Sequence, residues 1–340
     1  MASPRRDSAI TAAVISPKVL LSALLLLSTS TYADVSERVQ ILMGTTARVK
    51  VWAADSSTCR QAIHSAYQAL HRVDRKMSTY KVDSDLSRLN RDGSQGWVSV
   101  DGELVEVLVA TRTLFQLSDG AFDPTVLPLM RLWGFRGGEP RRPSNSEIEA
   151  TLGVVGYPNV EVDSIGMRAR FGIAGVSVDL GGIAKGYALD QAARAAKRAG
   201  ATSGMVDLGG NLLVFGNDAA GNIGVQDPKN AERIVGKLRL ADQSVATSGG
   251  YERFVMIEGT RYSHILNPRT GFPVDELASV TVVADDATRA DALSTACAVL
   301  GKDACLHLVE RLAGVDALVV WYEDDRVRIE TSSGLSVLDP

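Results

Sequence analysis

The chain has 340 residues, with 36 Lys and Arg against 40 Asp and Glu and a formal net charge of −4 at neutral pH. That balance excludes the basic footprint of a nucleic-acid-binding protein, and 45% apolar residues over this length supply a sizeable core and exclude a disordered chain. Cys59, Cys297 and Cys305 form neither a disulfide framework nor a zinc spacing; they are expected as buried or incidental thiols, with a Cys297–Cys305 bridge as the alternative in an oxidising compartment.

Arg5, Arg6 and Lys18 precede the apolar run from Val19 to Leu27 and the small-residue stretch "STSTYA", the layout of a signal peptide over residues 1–33. The run is far shorter than the roughly 20 residues of a membrane span. An exported mature chain over 34–340, in the periplasm, is therefore expected. The first cysteine is Cys59, so no lipid-anchored cysteine stands at the cut, and any inner-membrane association is expected to be loose.

Val39 to Ala53 predicts a strand or the start of a hairpin, and Ile63, Tyr67, Leu70, Val73 and Met77 recur at helical spacing. A second helix is expected over 102–117, stopped by "SDGAFDP". "RGGEPRRPSNSE", 136–147, predicts a lobe boundary or a mobile surface loop. From Val176 the pattern reads as strand, glycine turn, helix over 183–198, Gly200 as C-terminal cap and a strand at 205–207. Val-Asp-Leu-Gly-Gly occurs at both 178–182 and 206–210, so two strands leaving a sheet through the same corner would line one crevice. Short strands over 212–262, a strand at 279–284, a helix at 288–300 and a hairpin at 315–332 complete an α+β pattern, a mixed sheet with packed helices in a single large domain.

Asp291 and Thr295 lie four apart on the last predicted helix, hence one turn apart on one face. A carboxylate and a hydroxyl there suit a hard cation such as magnesium, which needs few protein oxygens; the alternative is an exposed helix face with Asp286 as N-cap. Ser294 is either an outer ligand or a small packing residue. In "VDLGGIAKGYALD", 178–190, the glycines at a helix start expose N–H groups to an anion, Asp179 can hold a hydroxyl or a metal-bound water, and Lys185 can meet a phosphate. A tight strand-to-helix turn with a solvated lysine explains the same residues. His264, in "YSHILNPRTGFP", is either a general base or a hydrogen-bonded structural histidine. The aromatics of "GAFDPTVLPLMRLWGF", 120–135, and "MSTY", 77–80, either sandwich a planar ring or fill the core.

Together these blocks, with "MGT" at 43–45, "MSTYKVDSDLSRLN" at 77–90, "VATSGGYERF" at 245–254 and "ADALSTACAVLG" at 290–301, resemble the ApbE family of FAD:protein FMN transferases over about residues 43–301. The resemblance implies a T-fold-related α+β domain rather than a Rossmann fold. It also implies an exported, Mg2+-dependent enzyme that cleaves FAD, joins FMN through phosphate to a Thr or Ser of a partner protein and releases AMP. Flavin-nucleotide contacts would fall on Met43, Tyr80, Ala121, Phe122, Asp123, Asp179, Lys185 and Ile265. Metal ligation would fall on Gly182, through its carbonyl, Asp291, Thr295 and Ser294, and His264 would activate the acceptor hydroxyl. Acceptors would be periplasm-exposed subunits of membrane redox complexes or exported flavoproteins. Asp85, where the family often has Glu, and Gly250, where a larger polar residue is common, depart from the pattern. Alternatives are a Mg2+-dependent FAD pyrophosphatase and a non-catalytic exported FAD-binding protein.

Overall fold

The structure, a computed structural model, describes residues 33–251 and 253–340. The expected signal peptide lies outside the described residues except for Ala33. The hairpin β1 (Asp34–Leu42) and β2 (Thr45–Ala53) turns at Met43 and Gly44, both with positive φ, and leads to α1 (Ser56–Met77). Next come α2 (Asp85–Asp92), β3 (Val98–Ser99), α3 (Gly102–Leu117), α4 (Leu127–Leu132), α5 (Asn145–Leu152), β4 (Val160–Asp163), β5 (Arg168–Phe171) and α6 (Ala184–Arg198). Strands β6 (Ser203–Leu208), β7 (Asn211–Phe215), β8 (Gly221–Asp227), β9 (Asn230–Leu240), β10 (Ser244–Gly249), β11 (Phe254–Ile257), β12 (Thr260–Ser263) and β13 (Ser279–Ala284) follow. The chain closes with α7 (Ala287–Leu300), α8 (Lys302–Val309), β14 (Val315–Glu323) and β15 (Arg326–Thr331).

Eight strands form one sheet in the order β1-β2-β6-β7-β10-β13-β14-β15. The α+β class stands, but the expected mixed sheet is antiparallel at every pairing. The reason lies partly between β13 and β14. A single helix there would return the chain for a parallel strand, whereas α8, which the sequence did not suggest, adds a second pass and reverses the entry of β14.

Period-two alternation divides the sheet's two faces. Leu213 and Phe215 of β7, Val280 and Val282 of β13, and Ala317 and Val319 of β14 join the large core that includes α1, α6 and α7. Their neighbours Leu212, Val214, Val283, Leu318 and Val320 face the opposite way, where Val225 of β8 and Leu238 and Leu240 of β9 cover them. Strand β2 pairs with β6 from Ala47 opposite Leu208 to Trp52 opposite Ser203. The β1–β2 and β6–β7 turns therefore share one end of the sheet, where the Gly209 N–H donates to the Thr46 carbonyl at 3.0 Å.

Three expectations are corrected. Residues 176–180 are buried but belong to no strand. Asn90 of α2 takes the place of a strand partner: its Oδ1 accepts from the Val178 N–H at 2.7 Å and its Nδ2 donates to the Val178 carbonyl at 2.8 Å. The 136–147 stretch is not a lobe boundary, since Ala33–Pro340 is one compact unit, and its end is ordered by a Ser144/Glu147 capping box that starts α5. Cys297 and Cys305 are joined in a disulfide between α7 and α8, and Cys59 alone remains a buried thiol. No described helix is long and apolar enough to cross a membrane.

Asn90→Ala would leave a buried N–H and a buried carbonyl without partners, and urea unfolding should show a loss of about 2–4 kcal/mol. A loss under about 0.5 kcal/mol, the range of ordinary surface substitutions, would show that the segment holds itself.

Candidate active site

Helix α7 is fixed at its start by two carboxylates. Asp286 accepts from the Arg289 N–H at 2.8 Å, as expected of an N-cap, and Asp190, reaching across from α6, accepts from the N–H groups of Ala287 at 2.9 Å and Thr288 at 3.0 Å. One turn on, Asp291 is only 3% exposed. Its Oδ2 accepts from the Gly186 N–H at 2.9 Å and its Oδ1 from the Asn211 amide at 2.7 Å. A Cβ on Gly186 would stand 2.0 Å from the Ala287 carbonyl oxygen, so this glycine lets α6 approach α7 closely enough to reach Asp291.

The same loop touches Thr295, because a Cβ on Gly182 would lie 2.9 Å from Thr295 Oγ1 and 3.2 Å from the Phe122 ring. Each Asp291 oxygen keeps acceptor capacity after its one bond from the protein. A carboxylate, a hydroxyl and the backbone of a glycine without a shielding side chain form an oxygen-only donor set that fits a hard cation satisfied by few protein ligands. The set holds a single carboxylate, and no group of three or more His, Cys, Asp and Glu suited to a metal occurs among the described residues. Ser294 is fully buried; its Oγ donates to the Asp291 carbonyl at 2.8 Å and lies 2.8 Å from Ser248 Oγ of β10, an arrangement of packing and hydrogen bonding.

On the other side of the loop, Asp179 is already engaged. Its Oδ1 accepts from the Gly181 N–H at 2.8 Å, and its Oδ2 meets Arg136 Nη2 at 2.7 Å and Thr79 Oγ1 at 3.3 Å. The Arg136 guanidinium lies 4.5 Å from the centre of the Tyr80 ring, and Tyr80 is 74% exposed. Ala121, Phe122 and Asp123 are buried. Phe122 sits beneath Gly182, so this turn offers no exposed aromatic to one side of a planar ring. Asp123 turns the chain: Oδ1 accepts from the Thr125 N–H at 2.8 Å, Oδ2 from the Tyr157 N–H at 3.1 Å, and burial raises its carboxyl above the usual range.

His264, itself half-buried, follows β12 and precedes the buried Ile265. Its Nδ1 is 2.9 Å from the Arg253 carbonyl, which can only accept; Nδ1 therefore carries the proton and Nε2 keeps its lone pair. Burial above all, then the positive fields of Arg253, Lys185 and Arg136, lowers the ring's pKa to about 4 against the opposing effect of that hydrogen bond. The Arg253 guanidinium reaches the turn at Met43, where a Cβ on Gly44 would lie 4.0 Å from it. Lys185, in the first turn of α6, completes the cluster of cations acting on His264.

The model of the ApbE family matches residues 43–319. The chain belongs to the ApbE family. A FAD:protein FMN transferase of Treponema pallidum is 32% identical over 310 residues, 86% of this chain and 85% of that protein. One from Haemophilus influenzae is 34% identical over 283 residues, 79% of this chain and 82% of its own. Among solved structures, an ApbE protein of Thermotoga maritima superposes with a TM-score of 0.79 at 37% identity, covering 88% of this chain and 97% of that one. The apo form of a Pseudomonas stutzeri flavinyl transferase ApbE gives a TM-score of 0.79 at 32% identity, over 88% and 95%.

In this ApbE-family chain, Asn211, Asp190, Asn90 and Arg136 shape the site without having been singled out by sequence. Asn211 alone carried a signal, since it follows the second Val-Asp-Leu-Gly-Gly.

The His264 ring is expected to stay unprotonated through neutral pH, and its C2–H resonance, assigned by loss in His264→Gln, should titrate near pH 4. A midpoint near the unperturbed value of about 6.5 would contradict the burial and charge described. Because the folded pKa is depressed, the unfolded chain takes up this proton first; the residue's effect is absent above about pH 6.5, and stability falls as pH drops from there towards 4.

Proposed function

We propose that this protein is an exported, Mg2+-dependent FAD:protein FMN transferase that cleaves FAD, joins FMN to a Thr or Ser hydroxyl of a partner protein through a phosphoester bond, and releases AMP. The observation that carries this reading is a neutral imidazole with a free Nε2, placed among Arg253, Lys185 and Arg136 at the loop whose far side meets Asp291 and Thr295. A flavin carrier would need donors and aromatics, but no base set among cations. Family membership and relatives that bear the transferase name support the same reading.

The acceptor hydroxyl would attack the flavin-side phosphorus; a new P–O bond forms, the bridging P–O bond to the adenylate side breaks, and AMP carries away the bonding pair. His264 Nε2 would take the hydroxyl proton. A ring with a resting pKa of about 4 is a weak base, held there chiefly by burial and further by the positive fields of Arg253, Lys185 and Arg136. Entry of the anionic pyrophosphate would offset the cations' share of that depression and raise the proton affinity of Nε2. Lys185, at the positive end of α6, would hold charge on the bridging or terminal oxygens. Magnesium held by Asp291, Thr295 and the Gly182 backbone would neutralise the pyrophosphate further. Periplasm-exposed subunits of membrane redox complexes or exported flavoproteins are the proposed acceptors, and the periplasm the compartment.

Residues 34–340 incubated with FAD, Mg2+ and an acceptor domain bearing a threonine flavinylation motif should add one FMN unit to the acceptor by intact mass and release AMP. Chelation should stop both, as should Asp291→Ala. His264→Ala should lower kcat by roughly 10²–10⁴-fold with KM for FAD little changed. Free FMN and AMP beside an unmodified acceptor would replace the transferase by a pyrophosphatase, and FAD binding without cleavage would replace it by a carrier.

A further inference from the structure

Arg136 lies in the stretch that the sequence marked only as loop, yet its side chain is 12% exposed. One nitrogen, Nη2, is paired with Asp179 at 2.7 Å, while Nε and Nη1 are buried and have no hydrogen-bond partner. A guanidinium cannot shed its proton, and buried N–H donors without acceptors are rare and costly. One face of the guanidinium is covered by the Tyr80 ring at 4.5 Å, yet Tyr80 is itself 74% exposed, so little packing holds this cover in place.

Two neighbouring glycines place the guanidinium, through its paired Nη2, and Thr295 along one loop. A Cβ on Gly181 would lie 3.7 Å from Arg136 Nη2, and one on Gly182 would lie 2.9 Å from Thr295 Oγ1. The guanidinium and the oxygen-only set on α7 therefore flank two consecutive residues of one loop. Among the described residues Asp179 is the one carboxylate paired with Arg136, and Lys185 and Arg253 add positive charge on the His264 side. The deficit is of negative charge, which a pyrophosphate supplies and a flavin carbonyl does not.

We propose that Arg136 is a substrate-binding residue that holds the pyrophosphate of FAD through its unpartnered Nε–H and Nη1–H donors, with Tyr80 swinging off the guanidinium as the dinucleotide enters. The proposal rests on the transferase reading above. Arg136 keeps Asp179 in place through Nη2 at the same time, so the ion pair orients the guanidinium.

Equilibrium binding of FAD, ADP and riboflavin in Mg2+, with thermal unfolding of each protein, tests this in the wild type, Arg136→Lys and Arg136→Met. Lys can still pair with Asp179 but loses the fork of donors. FAD and ADP should bind about 10-fold more weakly to Arg136→Lys and up to about 100-fold more weakly to Arg136→Met, with riboflavin affinity unchanged and the Tm of Arg136→Lys near that of the wild type. Unchanged FAD affinity in Arg136→Lys, or an equal loss for riboflavin, would overturn the assignment and leave Arg136 as an anchor for Asp179 or a flavin contact. A wild-type protein that binds no FAD at all would instead bring down the transferase reading and this inference with it.

Discussion

The buried carboxylate of Asp291 accepts one hydrogen bond from the Gly186 N–H and another from the Asn211 amide, and so ties α7 to the start of α6 and to the first residue of β7. A carboxylate so deeply buried is stable only with such partners. Those bonds require α6 and α7 to come together at a distance that only a glycine at 186 permits. The Asp190 cap on α7 fixes the same pair of helices from the other direction. Once α6 and α7 are locked, Gly182 must pass against Thr295, and the loop from 178 to 186 has one route left.

That route divides the site electrostatically. Oxygen donors suited to a cation lie on the α7 side, and cations suited to an anion gather around His264. Because Nδ1 is tied to the Arg253 carbonyl, the imidazole keeps only Nε2 for a further partner, and burial favours its neutral form. The positive fields of Arg253, Lys185 and Arg136 at His264 suit a ligand that brings negative charge, and they add to the effect of burial on the ring. Arg136 belongs to the same economy of charge: without Asp179 it would be a buried cation, and without a ligand two of its nitrogens remain unpartnered.

Periodic elements were legible before the fold was known. The β1–β2 hairpin, α1, α3, α6, β13, α7 and the β14–β15 hairpin all follow from period-two or helical spacing and from caps such as Asp286 and Gly200. Short helices were not, because α2, α4 and α8 are too brief for periodicity to stand out from chance. Helix α5 did carry a signal, the Ser144/Glu147 capping box, hidden in a stretch rich in glycine, proline and charge. Residues 176–180 read as a strand because their apolar, β-branched pattern is that of a buried extended segment. The pattern cannot say whether the backbone is satisfied by a neighbouring strand or by one asparagine side chain 88 positions away.

The order of residues alone was enough for the family, the helix bearing Asp291 and Thr295, the glycine loop opposite it and the histidine outside any helix. These depend on local patterns and contiguous motifs, and a chain carries such information in short windows. Which groups pair across the fold could not be read that way. Asp291 with Asn211, Asp190 with the start of α7 and Arg136 with Asp179 are separated by 80, 97 and 43 residues or thereabouts in sequence and meet only through packing. Burial, too, is a property of the packed chain. It makes His264 neutral, puts Phe122 under Gly182 and leaves two donors of Arg136 waiting for an acceptor.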